Sequence, residues 1–548
     1  MHSKLKQLHR DTSQWSWYVM IIGLFVAIPA FTIVFYLFDG VGEMWGHITS
    51  YFLLDYLTNS LILLVGTGLL TFLFGVSSAW IVSQYDFPFR KILEWLLFLP
   101  LAIPSYIVAY AYVGLLGNGG SLIRFIQSLG IPLPSLDIMN VTGLIWVLSC
   151  SLFPYVYGSS RSMFQGFPAS IRETADILGV SRWRYFFTAA LPLASPAIIG
   201  GLFLVFMEVL NDYGAAKYYG VQTFTTGIFR TWTALEDIQS AIYLSALLVL
   251  IVFSINGLVT WQRGKRSYAL KIRTSDTHKH KRKTLKGGAK VLALFLLSIP
   301  LLAGFIMPVG QLVYWGILTY EKMFTSALWE IAIQSFGIAF SAATIILLVS
   351  LVMIYFSNWS KIKEFHLFKR LATIGYVIPG AIIGIGIIRS SQSIIDFFST
   401  TFDLRIGFLF YGSSVILVYA YLFRFLAVAF NPLEANSLKV GKKLGESSWL
   451  LGLSKLKTLI RIELPLLRSS VISAFILVFI DVMKELPLTL ILKPYNVQTL
   501  AVKAYEYADD ERVAEASWPA LVLISVIVVL ILLLDFSDKR RSVNGTNT

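Results

Sequence analysis

Residues 173–193, ETADILGVSRWRYFFTAALPL, and residues 446–466, ESSWLLGLSKLKTLIRIELPL, align without a gap. Glu173 meets Glu446, Gly179 meets Gly452, Ser181 meets Ser454 and Leu191-Pro192 meets Leu464-Pro465, all at an offset of 273 residues. The same offset carries VFMEVLNDYG from Val205 onto VFIDVMKELP from Val478. Val221-Gln222-Thr223 meets Val497-Gln498-Thr499 after a shift of three, and Ile103-Pro104 meets Ile378-Pro379 at 275. Self-similarity at one long period marks a duplicated unit, so the chain reads as two copies of one fold.

Composition says what solvent that fold lives in. Of 548 residues only 14% are charged and 56% are hydrophobic, against about 25% charged in soluble domains, and the mean hydropathy is +0.71. Apolar runs of about 20 residues, the length of one bilayer crossing, fall near 17–38, 61–82, 92–115, 142–162, 194–214 and 240–261 in the first copy. In the second they fall near 291–315, 334–356, 371–388, 409–430, 469–491 and 518–535. The expected fold is therefore an all-α integral membrane protein of about twelve spans in two six-helix halves. Six is even, so the copies face the same way, a parallel repeat about an axis along the membrane normal.

The net charge of +14 comes from 45 Lys and Arg against 31 Asp and Glu. These basic residues crowd alternate loops, as in Arg172, Arg182 and Arg184, in Lys361 to Arg370 and in Lys439 to Arg468. The positive-inside rule puts those loops and both termini in the cytoplasm; no nucleic-acid-binding signature accompanies the charge. The first run, preceded by Lys4, Lys6 and Arg10, outlasts a signal-peptide core and reads as a retained helix. The organisation is then a first half over 1–261, a basic cytoplasmic linker over 262–290 and a second half over 291–548. The linker is polar and lacks apolar periodicity, which describes a flexible tether; His278 and His280 within it read as solvated, not metal-binding. Cys150 stands alone in an apolar run, a small buried thiol.

The twin loops, near 164–193 and 434–468, share a physical design. Helix formers run to Leu178 or Leu451, Gly179 or Gly452 supplies the C-terminal conformation other residues resist, and Ser181 or Ser454 N-caps a second helix. Pro192 and Pro465 are expected to break the chain where it re-enters lipid. Ala175 and Ser448 are small enough for another protein to approach closely. The pattern E-[TS]-[AS]-x3-G-x-S…L-P, present twice, resembles the EAA motif of ATP-binding-cassette (ABC) importer permeases. The resemblance implies a type I importer (MetI-like) fold whose coupling helices dock on two copies of an ATP-hydrolysing subunit, through Glu173, Thr174, Ala175 and Gly179 in one half and Glu446, Ser447, Ser448 and Gly452 in the other. NDYGAAKYYGVQTFTTGIFRTW from Asn211 and KELPLTLILKPYNVQTLAVKAYEYADDE from Lys484 are similar to the fused iron(III) permeases. That implies ferric ion delivered by an extracytoplasmic binding protein across a bacterial inner membrane, with fused thiamine and phosphonate permeases as alternatives of the same architecture.

No G-x4-G-K-[ST] run is present to hold a triphosphate, and no H-E-x-x-H, paired CxxC or G-x-S-x-G occurs. The chain is thus expected to carry no cofactor and no catalytic site, with ATP and Mg on the partner. A 6+6 secondary transporter is the rival of another class, but it gives the twin loop motif no role. Ionisable residues within lipid mark function: Glu208 and Asp212, with Asn211 beside them, recur as Asp481 and Glu485 with Lys484. Four residues apart, each acid pair is expected on one helical face, about 21 Å from the inner surface for Glu208. Carboxylate oxygens suit a hard trivalent cation; salt bridges or gate contacts, including Lys484 with Asp481, are the other reading. Arg424, about 9 Å from the inner surface, is expected to snorkel, and Pro104 and Pro379 to kink their spans.

Overall fold

The computed structural model describes residues 14–132, 134, 136–265, 282–359, 369, 371–407, 413–440, 447–448, 451 and 453–544. Glu446 and Gly452, as well as His278 and His280, lie outside the described residues. Among those described, twelve helices are long and apolar enough to cross a bilayer, from Met20–Asp39 to Ser517–Leu534. Six fall in each copy of the repeat, so the fold is the all-α membrane architecture expected from the apolar runs.

Two corrections concern prolines. Pro104 and Pro379 do not kink continuous spans; they start helices, Ser105–Leu116 and Gly380–Phe402, with nearly identical backbone angles of φ −55°, ψ 143° and φ −56°, ψ 143°. A proline has no N–H to lose at a helix start, and it forces the preceding residue out of the α region, as extended Ile103 shows at φ −105°, ψ 118°. Both the third and the ninth crossing therefore begin part-way into the bundle, after short turns at Leu99–Ala102 and Ile374–Tyr376. Pro192 and Pro465, expected to break the chain, lie inside continuous helical runs, Arg182–Asn211 and Leu459–Met483. The run tolerates each proline by widening one turn before it: Phe186–Ala190 and Leu459–Glu463 are π turns, closed by Leu191 N–H to Phe186 O and by Leu464 N–H to Leu459 O. The wide turn absorbs the carbonyl a proline leaves without a donor. Leu302–Ile306 ahead of Pro308 repeats the device.

The halves exchange their first helices. Gln14–Tyr36 packs on Gly380–Phe402 of the second half, where Thr32 Oγ1 lies 2.9 Å from Ser390 Oγ and Tyr36 Oη 2.9 Å from Ser393 Oγ. In return, Tyr112 Oη donates to Ala303 O at 2.8 Å, and Gly304 lies against the Cys150 carbonyl so closely that a Cβ there would come within 2.4 Å. The glycine is required by this close approach. Within 262–290, expected as a free tether, the described residues at both ends include regular elements. The preceding helix runs on to Lys265, Lys283-Thr284 pairs in parallel with Tyr85-Asp86, and the next helix starts at Gly288. Basic composition alone does not reveal that pairing.

Candidate functional site

The half-helix starts at Pro104 and Pro379 leave a small cavity of about 100 Å³ between the two halves. Equivalent positions line it from both sides: Glu208 and Asp481, Asn211 and Lys484, Asp212 and Glu485, Ser151 and Arg424. Glu208 lies about 39 Å along the helix axis from Arg182, at 1.5 Å per residue, so the cavity is far from the twin loops.

Four acids and two cations line the cavity. Lys484 Nζ lies 3.0 Å from Asp481 Oδ1, the pairing expected from their spacing. Arg424 does not snorkel: it is buried, its Nε lies 3.2 Å from Glu485 Oε2, and Nη1 donates to Asn211 Oδ1 at 3.3 Å. The buried counter-charge Glu485 explains the difference, because a guanidinium with a partner at hand need not reach water. Asn211 Oδ1 also accepts from Gly380 N at 2.9 Å, tying the end of one half's helix to the start of the other's.

Nor do the acids of each pair share one helical face. The helix ends at Asn211, and Asp212 turns to accept from Ala216 N at 3.0 Å and from Ser105 Oγ. Glu485, just past the helix ending at Met483, accepts from Leu488 N at 3.0 Å. Both cap the short helices that follow, Gly214–Tyr218 and Pro487–Leu492. Glu208 accepts from Tyr155 Oη at 3.4 Å and has no ion pair among the described residues. Tyr155 and Tyr376 line the same cavity; no periodicity singles them out in a chain of 26 tyrosines. Among the described residues, no three His, Cys, Asp or Glu side chains converge as a metal cage.

At the far end, Ala169–Ile177 is the short helix expected in the first twin loop. It closes with Val180 N–H to Ala175 O at 2.9 Å and Gly179 N–H to Asp176 O at 3.1 Å, with Gly179 at φ +65°. This is the Schellman arrangement, which needs a left-handed residue. Ser181 accepts from Arg184 N at 3.3 Å and N-caps the next helix. The second loop repeats the closure, Leu453 N–H to Ser448 O at 3.1 Å.

Glu173, Thr174 and Gly179 are exposed, whereas Ala175 is half-buried and Ser448 is buried with its Oγ 2.7 Å from Thr458 Oγ1. Smallness at these two positions thus serves the loop's own packing, Ser448 against the helix that follows and Ala175 against the core. The open side instead carries large apolar groups that the motif does not mention: Ile177 is 85% exposed, Leu451 is 84% exposed, and Leu178 and Trp183 stand out with them. Apolar side chains this bare, on the loop and at the very start of the run that follows, mark a contact surface; for Leu178 and Leu451 the signal in the sequence is an apolar residue directly before the capping glycine. Ser447 belongs to the described part of the second loop, its carbonyl accepting from Leu451 N at 3.3 Å.

A family model for binding-protein-dependent transport system inner membrane components matches residues 71–265 and again 365–540, together more than half of the chain. An Fe(3+)-transport system permease protein of Haemophilus influenzae is 23% identical over 474 residues, covering 86% of this chain and 87% of that protein. A molybdenum transport system permease protein of Escherichia coli is 32% identical over 143 residues, 26% of this chain and 61% of that protein. A sulfate transport system permease protein of Escherichia coli is 27% identical over 145 residues, 26% of this chain and 51% of that protein.

Proposed function

From the premise that this chain belongs to the family of binding-protein-dependent transport system inner membrane components, we propose that it is the fused permease of an ABC importer for ferric ion. It is a multi-pass inner-membrane protein and the permease component of an importer. On this reading residues 1–261 and 291–548 are its two halves, and both termini and the twin loops face the cytoplasm. One ATPase subunit docks at each loop: at Glu173, Thr174 and Gly179 beside the exposed Ile177 in the first, and at the motif residues Glu446, Ser447 and Gly452 together with the exposed Leu451 in the second. ATP and Mg belong to that partner. Glu208, Asn211, Asp212, Asp481, Lys484 and Glu485 form the path or gate.

The observation that carries the substrate is the charge of the central cavity. Four carboxylates against two cations line the space between the halves. An oxyanion such as molybdate or sulfate meets net repulsion there, while a hard cation meets oxygen donors. The similarity to an Fe(3+) permease extends over both halves, whereas the molybdenum and sulfate permeases match about a quarter of the chain. Because the carboxylates do not converge as a cage, the cavity suits passage rather than storage. An extracytoplasmic binding protein supplies the cargo.

The test is uptake of radiolabelled ferric ion into proteoliposomes holding this chain, its ATPase and its binding protein, with thiamine, a phosphonate, molybdate and sulfate as competitors. ATP-dependent iron uptake unaffected by the competitors is expected. Uptake of a competitor without iron would overturn the substrate, and uptake that persists without ATP on a proton gradient would overturn the importer class.

A further inference from the structure

Beyond Asn211, on the side away from the twin loops, a second and larger hollow of about 570 Å³ opens between the halves. Its floor is Tyr213, which also lines the central cavity and so separates the two spaces. Tyr213 is stacked on Phe229, ring centroids 3.8 Å apart, and its ring centroid lies 6.0 Å from that of Tyr505 in the other half. Lys217 Nζ sits between them, 5.9 Å from one ring centroid and 5.6 Å from the other, and 2.8 Å from Asp509 Oδ2.

Two features of this cluster go beyond what packing requires. Tyr213 and Tyr505 are 8% and 6% exposed, yet the Tyr505 hydroxyl has no well-aligned hydrogen-bond partner. A buried polar group left in that state costs free energy that a ligand would return. Burial first, then Tyr213 and Asp509, hold the Tyr505 phenol above its ordinary value. The Lys217 ammonium, meanwhile, marks the point where the site already stabilises positive charge. It is two-fifths exposed, on a long flexible stem that can swing into water. Glu506, on the same wall, is engaged by Lys493 at 2.9 Å and Lys503 at 3.6 Å.

We infer that this hollow is a reception site for a hard trivalent cation, held by the Tyr213 and Tyr505 phenolates and the Asp509 carboxylate after Lys217 swings away. The charges balance: two phenolic protons leave to solvent, and three anionic oxygens neutralise a 3+ ion. Hard oxygen donors favour such an ion, and tyrosinate is an established iron ligand in proteins. The inference rests on the ferric reading of the central cavity, one level further in.

The experiment titrates ferric nitrilotriacetate into the purified full chain in lipid nanodiscs and reads the visible phenolate-to-iron charge-transfer band, alongside radiolabelled iron uptake in proteoliposomes. The wild type is expected to show a saturable band. Tyr213→Phe and Tyr505→Phe should each lose about half of it, the double variant all of it, and Asp509→Asn should weaken binding at least tenfold. Tyr495→Phe, on an exposed outer loop, should change nothing. Size-exclusion elution identical to wild type confirms that each variant is folded. A band that survives in the double variant, or is absent from a wild type that imports iron, overturns this site and leaves the ferric reading standing. Import of molybdate or sulfate without iron overturns both.

Discussion

Arg424 and Glu485 form a pair within 3.2 Å, both buried, on adjoining elements of the second half. Replacing Arg424 by Met removes one charge and leaves the other in an environment where it cannot recover its hydration. Breaking a buried pair on one side costs about 3–5 kcal/mol, roughly two to four orders of magnitude in the ratio of folded to unfolded protein. The lost hydrogen bond to Asn211 adds about 1 kcal/mol. Glu485→Gln alone removes the charge yet keeps an oxygen for Leu488 N–H. The double variant Arg424→Met/Glu485→Gln therefore carries no orphaned charge and should recover at least half of the stability lost by Arg424→Met. The assay is the unfolding midpoint of the purified chain in detergent, followed by the fluorescence of its 14 tryptophans. An Arg424→Met midpoint equal to wild type, or a double variant less stable than that single one, would refute the pairing as the reason Arg424 is buried.

Gly179→Val should cut ATPase stimulation by loaded binding protein, because a side chain at φ +65° strains the backbone by about 1–2 kcal/mol; Gly179→Asn, which tolerates that region, should retain most of it. Glu94 is gripped by Arg161 Nη2 at 2.5 Å, Arg90 Nη1 at 2.8 Å and Gln165 Nε2 at 2.8 Å. Burial alone would raise its carboxyl, but Arg161, Gln165 and Arg90 together hold it below 4.5. A depressed value in the fold means stabilisation present above 4.5 and lost as pH falls through the folded value. Glu94→Gln should thus cost about 1.5–3 kcal/mol at neutral pH, with the gap to wild type closing in acid, read as unfolding midpoints across pH. Gly304→Val should overpack the contact with the Cys150 carbonyl by about 1–3 kcal/mol, and maleimide labelling of Cys150, blocked in the wild type, should appear. Asn211→Asp should turn a neutral bridge to Arg424 into an ion pair across the halves, raising the unfolding midpoint while slowing uptake; unchanged uptake with a raised midpoint would sever the link between that bridge and opening.

Local signals in the sequence were strong enough to place much of this molecule. Twelve apolar runs, the left-handed Gly179 and the cap at Ser181 all depend on neighbours a few residues away, and all stand in the structure. The features that were not legible depend on distant partners. Arg424 looked like a snorkelling side chain because Glu485, 61 positions on, is brought to it only by packing. Asp212 looked co-facial with Glu208 because the 3.6-residue period carries no notice that the helix ends at Asn211. Pro192 looked like a breaker because a widened turn at Phe186–Ala190 is a property of the whole run and not of the proline. The exchange of first helices left its trace in glycines such as Gly114, Gly304 and Gly386, whose close neighbours belong to the other half.

The repeat keeps its scaffold positions and departs from symmetry where the cavity is lined, and that departure bears on how the halves can part. Asp212 and Glu485 both cap, and Pro104 and Pro379 both start helices. Ser151 and Asn211 of the first half, however, face Arg424 and Lys484 at the matching places of the second. As a result every ion pair at the cavity, Arg424 with Glu485 and Lys484 with Asp481, lies within one half. What crosses between the halves at this level are neutral or singly charged hydrogen bonds, Asn211 with Gly380 N–H and Arg424 and Tyr106 Oη to Ala501 O at 3.2 Å, each worth about 1–3 kcal/mol. The ion pair that does cross, Lys217 with Asp509, is two-fifths exposed at both ends and holds by no more than about 1 kcal/mol. Had the cavity's pairs spanned the two halves, separating them would strand buried charges at several kcal/mol each. Confining the cations and their counter-ions to one wall lets the halves separate at low cost, and leaves Glu208 and Asp212 on the opposite wall without an ion pair among the described residues; of the two, Asp212 is held as a cap by Ser105 and Ala216, and Glu208 is the one placed to meet a cation in the gap.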